Sequence, residues 1–113
     1  MYTTHLKDVP MKKLPGRDVY VLTENLRVKN LTVGICEVQP RSTMTPHKHS
    51  QEETIYVLRG QGHVVVGGVK ETISPGTLVH FPSNIEHYTS NEGDEVMQFL
   101  FSFSPTVIVG SYG

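Results

Sequence analysis

The chain has no alanine, no tryptophan, a single cysteine and no long apolar run, and each absence excludes something. Alanine is the residue best suited to helix interiors, so a 113-residue chain without it starts at a disadvantage for helix-rich folds. Cys36 cannot close an internal disulfide, and residues 1–10 lack the uninterrupted apolar stretch of a secretory signal; both point to a cytoplasmic protein. Apolar runs such as Val64-Val65-Val66 fall far below the roughly 20 residues that cross a bilayer as a helix, so no membrane role is expected. Ten lysines and arginines against eleven aspartates and glutamates leave a formal charge of −1. With no Lys/Arg-dense stripe to follow a phosphate backbone, nucleic acid is not an expected partner.

What is present favours pleated surfaces. Fifteen valines, eleven threonines, five isoleucines, five tyrosines and four phenylalanines are residues that fit strands. Apolar and polar residues alternate over 31–38 until Pro40 stops them, and short β-type runs follow at 54–58, 64–66, 78–81 and 95–102. Turn formers separate them: Arg59-Gly60-Gln61-Gly62, the hairpin pair Gly67-Gly68, Ser74-Pro75-Gly76 and the bend Pro82-Ser83-Asn84. Short strands recurring about every ten residues, without helical period, predict an all-β sandwich or small barrel. The length suits one domain. It divides into an N-terminal arm over 1–30 with one edge strand at 19–22, a barrel over 31–104, and a tail over 105–113 laid on the surface.

Six histidines are the most unusual feature. In an extended chain positions i and i+2 face the same way, so His47 and His49 can aim both imidazoles at one point. Glu53 follows past a polar turn, and His87 lies just beyond the Pro82-Ser83-Asn84 bend. Three neutral imidazoles and one carboxylate form a set suited to one divalent Fe, Mn, Co, Ni, Cu or Zn ion, whereas calcium or magnesium would want more oxygens. Any one of these histidines alone reads as an ordinary surface or hydrogen-bonded residue; the combination carries the inference. A helix with His49 and Glu53 at i, i+4 competes locally, but the β-branched, proline-flanked surroundings oppose it. Glu52 is the rival carboxylate. His63 and His80 are expected on the outer surface, His5 in the arm, and Cys36 as a small buried hydrophobe. Tyr56 has the opposite parity to Glu53 and should point away. The last strand alternates Met97, Phe99, Phe101 and Phe103 against Gln98, Leu100 and Ser102, and the bulkier face should line the interior.

Two stretches then match a known spacing without gaps. From Arg41 to Gly60 the chain follows G-x5-H-x-H-x3-E-x6-G, with His47, His49 and Glu53 in place; from Gly76 to Asn91 it follows G-x5-P-x-G-x2-H-x3-N, with Pro82, His87 and Asn91 in place. On these motifs, over about residues 33–103, the chain resembles the cupin superfamily. The resemblance implies a double-stranded β-helix, or jelly-roll, barrel with one metal on His47, His49, Glu53 and His87. Glu53 is preferred to Glu52 because it stands six residues before Gly60 and shares the parity of His47 and His49. Two positions depart from the pattern. Arg41 replaces the first glycine, and Asn84 replaces the glycine of P-x-G; asparagine visits left-handed backbone at modest cost. Asn91 is expected to cap the turn that aims His87.

Four protein ligands on an ion that accepts five or six leave room for water or substrate, which implies a metal-dependent enzyme acting on a small oxygenated molecule. Isomerases and lyases also need a group that moves a proton near the metal. The chain is similar to small single-domain cupins, among them uronate-linearising enzymes with an acid and an arginine on and after the last strand. Here Phe101 and Val107 stand at those places. This puts a dioxygenase ahead of an isomerase, lyase or decarboxylase on a keto sugar or keto acid, with a non-catalytic ligand-binding module as the third reading. The arm could add a strand to a second copy's sheet, which predicts a homodimer.

Overall fold

The computed structural model describes residues 2–110. Two-residue alternation decides which side chains turn inward, most plainly in the last strand, Met97–Ser104. Met97, Phe99, Phe101 and Phe103 are buried there, while Gln98, Leu100 and Ser102 face outward, as the sequence predicts. In chain order the strands are β1 (Met11–Leu14), β2 (Arg17–Val21), β3 (Thr32–Val38), β4 (Ser42–Thr43), β5 (Glu52–Arg59), β6 (Gly62–Val66), β7 (Val69–Ile73), β8 (Leu78–Phe81), β9 (His87–Asn91) and β10 (Met97–Ser104). They form a six-stranded sheet, β1-β2-β3-β10-β5-β8, and a four-stranded sheet, β4-β9-β6-β7, with every neighbour antiparallel. Their inner faces enclose one core, built on Val19, Cys36, Ile55, Val64, Phe81 and the β10 aromatics. The fold is the expected all-β jelly-roll barrel. Among the described residues the helical pieces are two short 3-10 turns, Leu6–Asp8 and Leu22–Asn25.

The N-terminal segment is more deeply integrated than expected. The strand predicted at 19–22 runs from Arg17 to Val21, and it is not an edge: β1 pairs along its outer side, from Met11 opposite Tyr20 to Leu14 opposite Arg17. The sequence hid β1 because Met11-Lys12-Lys13-Leu14 does not alternate; backbone pairing builds this strand, with little burial. The exposed strand β7 was missed for the same reason. Strand β9 escaped notice for another: its inward residues are polar, with His87, Thr89 and Asn91 all buried. The tail expected over 105–113 is described as far as Gly110, with Val107 and Val109 packed against the core; residues 111–113 lie outside the described residues.

Close approach and left-handed backbone explain the two motif departures and one glycine. A Cβ on Gly34 would fall 2.2 Å from the Tyr20 carbonyl oxygen and 2.5 Å from Phe101, so only glycine lets that ring lie over β3. Arg41 and Asn84 hold φ of 56° and 60°, the conformation the pattern's glycines would supply freely.

Candidate metal centre

The extended backbone that carries His47 and His49 lies against the start of β9. The His47 N–H donates to the His87 carbonyl at 3.1 Å and the His87 N–H to the His47 carbonyl at 2.9 Å, which clamps the two segments together. The side chains follow. His47, His49 and His87 each present a ring nitrogen, all within 4.8 Å of one another. His47 is half-exposed, while His49, His87 and Glu53 are buried. Phe81 stacks on His87 at 4.1 Å between ring centroids, and Phe103 meets His49 edge-on at 5.2 Å, so aromatic packing sets the ring planes.

Hydrogen bonds settle which nitrogen faces inward. Nδ1 of His47 lies 2.8 Å from the Thr45 carbonyl, Nδ1 of His49 2.8 Å from the Gln51 carbonyl, and Nδ1 of His87 3.0 Å from the Ile85 carbonyl. A carbonyl can only accept, so each Nδ1 carries a proton and Nε2 is the nitrogen left facing the common point, free to offer a lone pair to a metal or, on His49 in the metal-free protein, a proton to Glu53. Glu53 joins them: its Oε1 lies 3.3 Å from His49 Nε2 and 3.5 Å from His87 Nε2. Lone pairs converging in a buried space need a cation or a proton. Nε2 of His87 is buried without a hydrogen-bond partner, an orphan acceptor where a metal ion would fit. In the metal-free protein the hydrogen bond to Glu53 raises the proton affinity of His49, while burial lowers that of His47.

The other sequence-named residues fall outside the cluster. Glu52 is exposed and pairs with His80 at 2.9 Å on the outer face. His63 meets Glu92 at 2.9 Å, His5 accepts from the Lys7 N–H, and Tyr56 points outward. Cys36, on β3 opposite Phe99 of β10, is buried, and burial pushes its thiol well above its ordinary value. Asn91 does not touch the His87 ring. At the far end of β9 its amide donates to the carbonyls of Val38 and Glu95 and accepts from the Gly93 N–H, pinning the turn between β9 and β10.

A cavity of about 30 Å³ adjoins the imidazoles, lined by His47, Glu53, His87, Cys36, Thr89 and the β10 aromatics. One lining residue was not foreseen: Arg17, 8% exposed. The available signal was parity, since Arg17, Val19 and Val21 share the inward face of β2. Placing that strand's start at Val19 concealed it.

With this geometry in place, comparisons with known proteins agree. The cupin domain family matches residues 34–103. The dimethylsulfoniopropionate lyase DddW of Ruegeria pomeroyi is 32% identical over 76 residues, 67% of this chain, and this chain spans 49% of that lyase. Two solved structures superpose closely. A polyketide cyclase, RemF, from Streptomyces resistomycificus gives a TM-score of 0.78 at 22% identity, over 97% of this chain and 88% of that one. A predicted oxalate decarboxylase from Thermotoga maritima gives 0.81 at 19% identity, over 92% and 99%. At such identities these two attest the fold alone. The family match, the jelly-roll barrel and the three converging imidazoles together make this chain a member of the cupin family.

Proposed function

We propose that the protein is a metal-dependent enzyme acting on a small oxygenated molecule, with one divalent transition ion (Fe, Mn, Ni, Co, Cu or Zn) held by His47, His49, Glu53 and His87. The orphaned, buried Nε2 of His87, facing other acceptors, is the observation that carries this reading. When bound, such an ion supplies Lewis-acid polarisation or, as Fe(II), reactivity toward O2. The chain supplies the rest. Carbonyl-locked imidazoles hold the donor set ready, Glu53 neutralises part of the charge, and the aromatics of β10 supply an apolar wall to the cavity.

A dioxygenase fits best within this reading. Of the cavity's remaining polar groups, the Cys36 thiol resists ionisation, the Arg17 guanidinium offers donors but no acceptor, and the Thr89 hydroxyl is a weak acid and base, so none moves a proton readily. The likeness to DddW favours a lyase as the second reading. Metal analysis of protein purified without chelator should show close to one first-row ion per chain. Oxygen uptake with 1,3-diketones, catechols or thiols then supports the dioxygenase, and anaerobic turnover of a keto sugar or keto acid the lyase or isomerase. Silence in both panels leaves a non-catalytic binding module. Protein devoid of transition metal refutes the reading as a whole.

The reading includes a cytoplasmic homodimer. One apolar residue from each strand of the larger sheet, Met11, Tyr20, Ile35, Leu100, Tyr56 and Leu78, lies in register across its outer face. Met11, Tyr56 and Leu78 are exposed, an apolar row that a second copy would cover. Light scattering at micromolar concentration should give twice the chain mass; a monomer overturns this part.

A further inference from the structure

Arg17 is the first residue after the Pro15-Gly16 turn, and the parity of β2 sends its side chain inward with Val19 and Val21. Burying a guanidinium is costly unless a counter-ion or several hydrogen bonds compensate. Little compensates this one. Among the described residues its hydrogen bond is from Nη1 to the Pro15 carbonyl at 3.3 Å, and no carboxylate lies within ion-pair distance. The acids beside it on β2 and on the paired strand β3 are already engaged elsewhere. Asp18 bonds Lys13 and Gln39, and Glu37 bonds Arg59 and Gln98. A five-donor cation, more than nine-tenths buried, thus faces the cavity that also borders His47, Glu53 and His87.

Resting on the metal-centre reading above, we propose that Arg17 is the anion-binding end of this site and holds the carboxylate of a small organic acid whose other end lies at the imidazoles. A planar guanidinium fork matches a carboxylate with two parallel hydrogen bonds. The lining between the two ends is largely apolar: Val19, Ile55, Met44, Phe99 and Phe101. That favours an acid with a short carbon skeleton over a polyol. The cavity's volume of about 30 Å³ restricts the ligand to a few atoms beyond the metal-bound end. Arg17 therefore selects for charge, and the cavity for length.

The test uses the metal-loaded full chain with pyruvate and acetate as probes and acetamide as the uncharged control, read by calorimetry, with metal content measured in every sample. Arg17→Met should weaken pyruvate and acetate at least about tenfold, the loss expected for a charge-assisted pair. Acetamide and metal content should be unaffected, and Arg17→Lys should restore part of the binding. Because the ligand-free protein carries an uncompensated cation, Arg17→Met should melt no lower than wild type. A lower melting temperature, or failure to fold, assigns Arg17 to the scaffold and overturns the proposal. Equal pyruvate affinity in wild type and Arg17→Met overturns it too. The metal reading is separated by His49→Ala. If that variant lacks metal yet pyruvate still raises its melting temperature, and Arg17→Met/His49→Ala shows no such rise, Arg17 binds the carboxylate independently of the metal. If wild type takes up no metal, the metal-centre reading fails alone, and the pyruvate-induced melting shift of wild type against Arg17→Met still decides Arg17.

Discussion

Glu52 and Glu53 are neighbours on β5, and each lies beside a histidine, on opposite sides of the sheet. Outside, Glu52 meets His80 at 2.9 Å with both side chains more than half exposed. Inside, Glu53 meets His49 at 3.3 Å with side chains 9% and 3% exposed, and a second imidazole stands 3.5 Å away. The shorter contact is the more exposed one. Water competes for the outer pair, which as a surface pair contributes about 0–1 kcal/mol at most, whereas the inner group is screened from solvent and must be satisfied by a cation or a proton. Distance alone is therefore a poor guide to function; burial and the convergence of acceptors decide.

The largest test of this contrast is metal uptake. His49→Ala should remove nearly all bound metal, a loss exceeding the roughly 10–100-fold that follows removal of an outer partner, while His80→Ala and Glu52→Gln leave it unchanged by elemental analysis. Next comes the packing behind each pair. Phe81, stacked on His87, should cost about 3–5 kcal/mol when cut to alanine, measured by urea unfolding, whereas exposed Leu78 on the same strand should cost less than about 0.5.

A smaller effect is expected in the pH dependence of the metal-free protein. The proton affinity of His49 is raised from the ordinary 6.5 by Glu53, so its stabilising charged form is complete below 6.5 and is lost as pH rises through the higher folded value. That of His47 is lowered by burial, so stability falls as pH drops below 6.5 toward its folded value. The melting temperature of the metal-free protein should therefore peak near pH 6.5. Glu53→Gln should flatten the alkaline side, and Glu52→Gln should leave the curve unaltered. The smallest change lies at the rim: Arg41→Gly relieves a left-handed residue and should stabilise by a few tenths to about 1 kcal/mol, offset in part by loss of its exposed pair with Asp94.

The fold was legible wherever burial is apolar on one face. β10 announced itself by its four inward side chains, and β3 by its alternation before Pro40. Strands that bury few side chains, β1 and β7, or whose inward residues are polar, β9, left no such trace. The preference for Glu53 over Glu52 was likewise a matter of parity, and the structure puts Glu53 beside the imidazoles and Glu52 in solvent. Parity also contained Arg17, because β2 begins two residues before Val19.

By itself the sequence determined the two histidines at i, i+2, the carboxylate of matching parity, the turns that let strands fold back, and the apolar face of the last strand. These are local properties, set by chain geometry over a few residues. Only the tertiary structure decided that β9 would lie against the His47 segment and bring His87 to the others, and that Arg17 would share their cavity. Those depend on pairing between strands far apart in the chain, where the burial of polar groups is settled by which partners the fold supplies.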